Sequence, residues 1–115
     1  MFMPNRSRPP ASSVNASGPN RDQVFASLAD PVRRRILEML ANGQALAVSQ
    51  IAPTVGRRLD ATLKHVIILR DAGFVTFAPD VSDSRRLLYA LAPSVKVTDT
   101  PEGRTMDFGC CVVRM

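Results

Sequence analysis

The sequence predicts an α+β fold in which helices come first and β-hairpins follow. Three observations predict it. Apolar residues recur at helical spacing in four segments between Asn20 and Gly73, the period shortens toward two after Gly73, and Gly, Pro and Asp stand at the joints. At 115 residues the chain has room for one domain with a modest core, and its formal net charge of +5 favours a polyanionic partner.

Residues 1–19 mix Pro4, Pro9, Pro10 and Pro19 with Ser, Asn and arginine, too little apolar area to offset the entropy of ordering. They are expected to form a disordered arm on which Arg6 and Arg8 are available to phosphates. The opening MFMPNRSRPP lacks the apolar centre of a signal peptide and no apolar run approaches a bilayer span, so a cytoplasmic protein without membrane attachment is expected.

A first helix is expected over residues 21–29, with Val24, Phe25 and Leu28 on its inner face. Asp30-Pro31 is a cap followed by a proline at the first helical position, which starts a second helix. Val32, Ile36, Leu37 and Leu40 form its buried stripe, Arg33, Arg34 and Arg35 its exposed flank, and Asn42-Gly43 its end. Residues 44–47 fit an extended link. A third helix over 48–55 turns Val48, Ile51, Ala52 and Val55 inward and stops at Gly56, and Pro53 predicts a short element or a distorted end because it removes a backbone donor. The fourth helix, residues 60–72, takes Asp60 as its N-cap and Gly73 as its stop. Leu63, Val66, Ile67 and Leu69 give it an apolar surface, while Arg57, Arg58, Lys64 and His65 gather at its N-terminal end.

Strands follow. Phe74 to Phe77 pairs with a return strand over 85–91, across a loop over 79–84, with Leu87, Tyr89 and Leu91 on one face. Helix, helix, short helix, helix, hairpin is the order of a winged helix-turn-helix, which assigns residues 20–92 to one domain. Its fourth helix would enter the major groove and its hairpin would lie across the backbone. Residues 93–115 read as a further hairpin, possible as a dimer-forming extension: Val95 and Val97, a turn at Pro101-Glu102-Gly103, then Met106, Phe108, Cys110 and Val112 in alternation. So apolar a strand either covers its own domain or pairs with another chain.

Leu28-Ala29-Asp30-Pro31-Val32-Arg33-Arg34-Arg35-Ile36-Leu37, followed in order by Leu69-Arg70-Asp71-Ala72-Gly73-Phe74-Val75, resembles the ArsR family of bacterial winged-helix repressors over residues 21–92. The resemblance implies a homodimer that binds operator double-stranded DNA and releases it when an effector binds. Two departures matter. Where metal sensors of that family carry Cys-Val-Cys on the third helix this chain has Ala47, Val48 and Ser49, and with a single His it lacks the pairs of the other usual metal site, so no metal and no cofactor is expected. Leu63 and Ile67 stand where the family commonly has polar or basic residues, which suggests an altered face, one that packs against the tail.

The candidate DNA-binding residues are Arg57, Arg58, Lys64 and His65 around the fourth helix and Arg85 and Arg86 at the wing, most of them in phosphate contact. An ordinary basic surface is the plain alternative. Cys110 and Cys111 are the possible effector thiols, either structural or part of a metalloid or redox sensor. Adjacent strand residues point to opposite faces, which would keep the two sulfurs from one ion, and their Cα spacing of about 3.8 Å is short for an ordinary disulfide. No Ser-His-Asp, Cys-His, paired-acid or phosphate-cradling glycine arrangement occurs, so no enzymatic activity is expected. A small-molecule or metalloid effector stays open, and so does a third role, a winged-helix module that uses Leu63, Ile67 and the tail for protein contacts.

Overall fold

The computed structural model describes residues 20–115. The expected arm over residues 1–19, with Arg6 and Arg8, lies outside them. Four helices, α1 (Arg21–Leu28), α2 (Pro31–Leu40), α3 (Val48–Val55) and α4 (Leu59–Asp71), precede five strands, β1 (Val75–Pro79), β2 (Leu87–Leu91), β3 (Lys96–Thr100), β4 (Gly103–Asp107) and β5 (Val112–Arg114). The α+β winged helix-turn-helix architecture is as expected, and it carries a C-terminal sheet.

Each helix has a chemical start. The Asn20 side chain accepts from the Gln23 amide at 2.9 Å and the Gln23 side chain accepts from the Asn20 amide at 3.0 Å, a reciprocal cap that opens α1. Asp30 opens α2 as expected, one carboxylate oxygen accepting from Val32 at 2.8 Å and Arg33 at 3.3 Å. Partial burial pushes the Asp30 pKa up, but these two amides, with the charges of His65 and Arg33, outweigh it and hold the carboxyl below its ordinary value. A depressed carboxyl contributes stability that is present above its unfolded pKa and lost as pH falls through its folded one. Asp30→Ala should therefore cost about 1 kcal/mol near neutral pH, and its deficit in denaturant unfolding should shrink toward zero as pH drops below about 4.

Two expected details are corrected. Asp60 does not cap α4: the helix begins one residue earlier, with Arg58 at the cap position and no side chain bonded there. Asp60 instead sits in the first turn, where its charge still favours the positive end of the helix dipole. Phe25 does not face inward. It is 57% exposed, and the inner face of α1 is built by Val24 and Ser27, one position round the helix.

Pro53 does not break α3, which continues to Val55 and ends on Gly56 in the left-handed region at φ 70°. The end of α4 is a Schellman motif. Gly73, at φ 89°, donates to Arg70 O, and Phe74 donates to Leu69 O at 2.9 Å, so the two buried side chains of Leu69 and Phe74 close the helix with an apolar contact point. Chain direction reverses there and β1 begins.

β1 and β2 pair antiparallel from Val75 opposite Leu91 to Pro79 opposite Leu87, so the return strand begins at Leu87 and Arg85 lies in the loop. The link over 44–47 is extended, and Leu46 exchanges both backbone hydrogen bonds with Tyr89, at 2.9 and 2.8 Å, adding a third rung beside β2. The tail is more than a hairpin: β3, β4 and β5 form a three-stranded antiparallel meander. Of the two expected fates of this apolar tail, it covers its own domain. Val95, Met106 and Phe108 join Ile36, Leu37, Leu69 and Phe74 in one core, with the Phe108 and Phe74 rings 5.2 Å apart. Arg104 adds a polar tie to the loop after α2, donating to Asn42 Oδ1 at 2.9 Å.

Candidate nucleic-acid interface

The helix-turn-helix is made by α3 and α4, joined through Gly56, Arg57 and Arg58. Gly56 supplies the left-handed turn, and Arg58 O then accepts from both the amide and the hydroxyl of Thr62, each at 2.9 Å, which fixes the start of α4. Thr62 is fully buried and Val66 and Leu69 share its side of the helix. The opposite side carries Leu59, Leu63 and Lys64, all exposed.

The expected basic residues divide into three situations. Arg57, Lys64 and Arg86 are exposed and make no ion pair among the described residues. Arg58 lies 3.4 Å from Asp60 and Arg85 3.3 Å from Asp83, in pairs so solvated that each is worth at most about 1 kcal/mol, little obstacle to a phosphate. His65 differs: it is half-buried, with Nδ1 3.2 Å from Arg33 Nη1. A guanidinium only donates, so Nδ1 is the acceptor and the ring proton belongs on Nε2.

Arg33 and Arg34 are not a plain solvated flank. The last carbonyls of α1 have no partners within their own helix, and Arg33 donates from Nε to Ser27 O at 3.0 Å and from Nη2 to Ala26 O at 3.2 Å, while Arg34 reaches Leu28 O. These two side chains cap the preceding helix from outside it. Arg35 alone behaves as expected, in a surface pair with Glu38.

The wing loop is held by its acids. Ser82 donates to Asp80 Oδ1 from both its amide and its hydroxyl at 3.0 Å, and these bonds, with Arg86 nearby, keep the Asp80 pKa below its usual range. Asp83 Oδ1 accepts from the Arg85 amide at 3.1 Å, and Arg86 donates its amide to Asp83 O at 2.9 Å. A loop pinned in this way presents Arg85 and Arg86 at a defined height beside α4.

A groove of about 280 Å³ lies where α4 meets the wing, lined by Leu59, Leu63, Arg86, Leu87 and Tyr89 with the first residues of α3. Leu63 thus faces the wing. The expected packing of Leu63 against the tail is not seen there, since tail contacts are made at Phe74 and Asn42. Ile67 is half-buried. Leu59 and Leu87 are groove residues that sequence reasoning missed; the i, i+4 spacing of Leu59 and Leu63 was the available signal.

Cys110 and Cys111 do not lie on a strand. They occupy the turn between β4 and β5, where Gly109 adopts φ 91°, Phe108 donates to Cys111 O, and Asp107 accepts from Gly109. Their sulfurs are 3.8 Å apart on the same side, so the expected separation to opposite faces does not hold. Cys110 is exposed beside Arg21 and Asp22, and burial, together with Cys110 itself, pushes the Cys111 pKa up, holding it as a thiol. Among the described residues no group of three or more His, Cys, Asp or Glu side chains is placed to hold a metal ion, and no helix is long and apolar enough to cross a membrane.

With helix, turn, helix and wing in place, the class is a winged helix-turn-helix domain, the architecture of DNA-binding regulators. Residues 28–76 match the family model described as a helix-turn-helix domain, a span from the end of α1 to the start of β1. No curated protein matches the chain.

Proposed function

We propose that the chain is a transcriptional repressor of the ArsR type, binding operator DNA as a homodimer with α4 in the major groove and the wing over the adjacent backbone, without enzymatic activity of its own. The observation that carries this reading is the placement of five exposed cations, Arg57, Arg58, Lys64, Arg85 and Arg86, at the turn, the first half of α4 and the wing loop. Those are the parts of a winged helix that meet the duplex. His65 contributes mainly by packing, its Nε2 being the one ring nitrogen left to reach a phosphate.

The test is the salt dependence of binding to DNA from upstream of its own gene. Each phosphate contact contributes about 0.9 to the slope of log K against log salt, so Arg57→Ala with Arg58→Ala should flatten the slope by about 1.8 and weaken binding at moderate salt. Both side chains are exposed, so thermal unfolding should be unchanged. Equal affinity and slope in the double variant would remove these arginines from the interface.

A further inference from the structure

The groove between α4 and the wing is apolar where its surroundings are cationic. Leu59 and Leu63, four residues apart and so on one face of α4, are 57% and 39% exposed, and Leu87 of β2, 38% exposed, lines the same groove with Arg86. Exposed leucines of this kind lower solubility unless something covers them. A stable protein partner asks for an interface of roughly 1,000 Å² or more with few charges at its centre, whereas here a small apolar strip is bordered by Arg57, Arg58, Lys64, Arg85 and Arg86. The border suits a polyanion, and the strip suits an apolar group carried by that polyanion. On the major-groove edge of duplex DNA that group is the thymine 5-methyl.

We infer that Leu59 and Leu63 bind thymine 5-methyl groups, so that the base selected opposite the first two turns of α4 is thymine, with Leu87 and the Arg86 stem closing over it from the wing. The inference rests on the DNA-binding reading above and adds the base that is read. Leucine offers no hydrogen bond, so discrimination comes from methyl burial, and a groove of about 280 Å³ has room for methyl-sized groups. The arginines hold phosphates and set register, while the leucines choose the base.

The probe is a duplex pool with a randomised core, from which the full chain selects its preferred sequence. The recovered duplex is then remade with deoxyuridine in place of each thymidine in turn, which removes one methyl and nothing else. Loss of one buried methyl corresponds to a Kd about four-fold weaker. Wild type should show that loss at one or two thymidines, and Leu63→Ala should bind the thymidine and deoxyuridine forms alike while keeping the wild-type salt dependence. Leu59→Ala provides a second variant, and because both side chains are exposed neither hollows the core. A selected duplex that tolerates deoxyuridine everywhere, or is equally sensitive in both variants, overturns the inference and leaves DNA binding standing. Failure to retain any duplex at low salt overturns the DNA-binding reading and the inference together. Sedimentation that shifts in Leu63→Ala with an unchanged deoxyuridine response assigns the groove to a second copy of the chain, and also overturns it.

Discussion

Phe108→Ala should destabilise the protein by about 3–5 kcal/mol, the range for deleting a fully buried phenylalanine. The ring has no exposure and meets Phe74 at 5.2 Å, so truncation leaves a hole between the tail sheet and the end of α4. Its loss is not confined to the tail. Phe74 is the residue whose amide closes α4 on Leu69, so a loosened Phe74 also frees the last turn of that helix. Denaturant unfolding followed by helix signal should show a lower midpoint with one cooperative transition. If the tail were a separate appendage, the helix transition would stay at its wild-type midpoint and only strand signal would be lost.

Helix order, the Asp30-Pro31 start, the Gly73 stop and the wing hairpin were legible because each is a local signal with one physical cause. The second-helix stripe of Val32, Ile36, Leu37 and Leu40 is buried in full for the same reason: helical spacing alone dictates it. What failed was non-local. Asp60 is as good a cap by chemistry as Asp30, but Thr62 bonds back to Arg58 O and starts α4 a residue sooner. Alternation from Met106 to Val112 suggested one strand, yet Gly109 at φ 91° turns the chain in the middle of it and brings two sulfurs to one side. Of the candidate site, the exposed cations follow from sequence position on a winged helix, whereas the apolar groove needs the wing to fold back beside Leu59 and Leu63, a distance no spacing rule reports.

Arg33→Ala should cost about 1–3 kcal/mol, because it leaves the carbonyl of the buried Ser27 without a partner and strips Ala26 O as well. The guanidinium uses three nitrogens on three acceptors, Nε on Ser27 O, Nη2 on Ala26 O and Nη1 on His65 Nδ1, so it ties α1, α2 and α4 at one point. A lysine has one nitrogen on a flexible stem and cannot span that set, so Arg33→Lys should recover less than half of the loss. Crossing Arg33→Ala with His65→Ala isolates the link to α4. A coupling of about 0.5 kcal/mol or more in unfolding free energy is expected if the pair helps set the recognition helix, and purely additive effects would reduce Arg33 to a cap of α1. Because Arg33 faces carbonyls and an imidazole, its replacement should leave the salt slope of DNA binding unchanged even where affinity falls with stability, the reverse of the pattern expected at Arg57 and Arg58. A flattened slope would instead place the Arg33 charge on a phosphate.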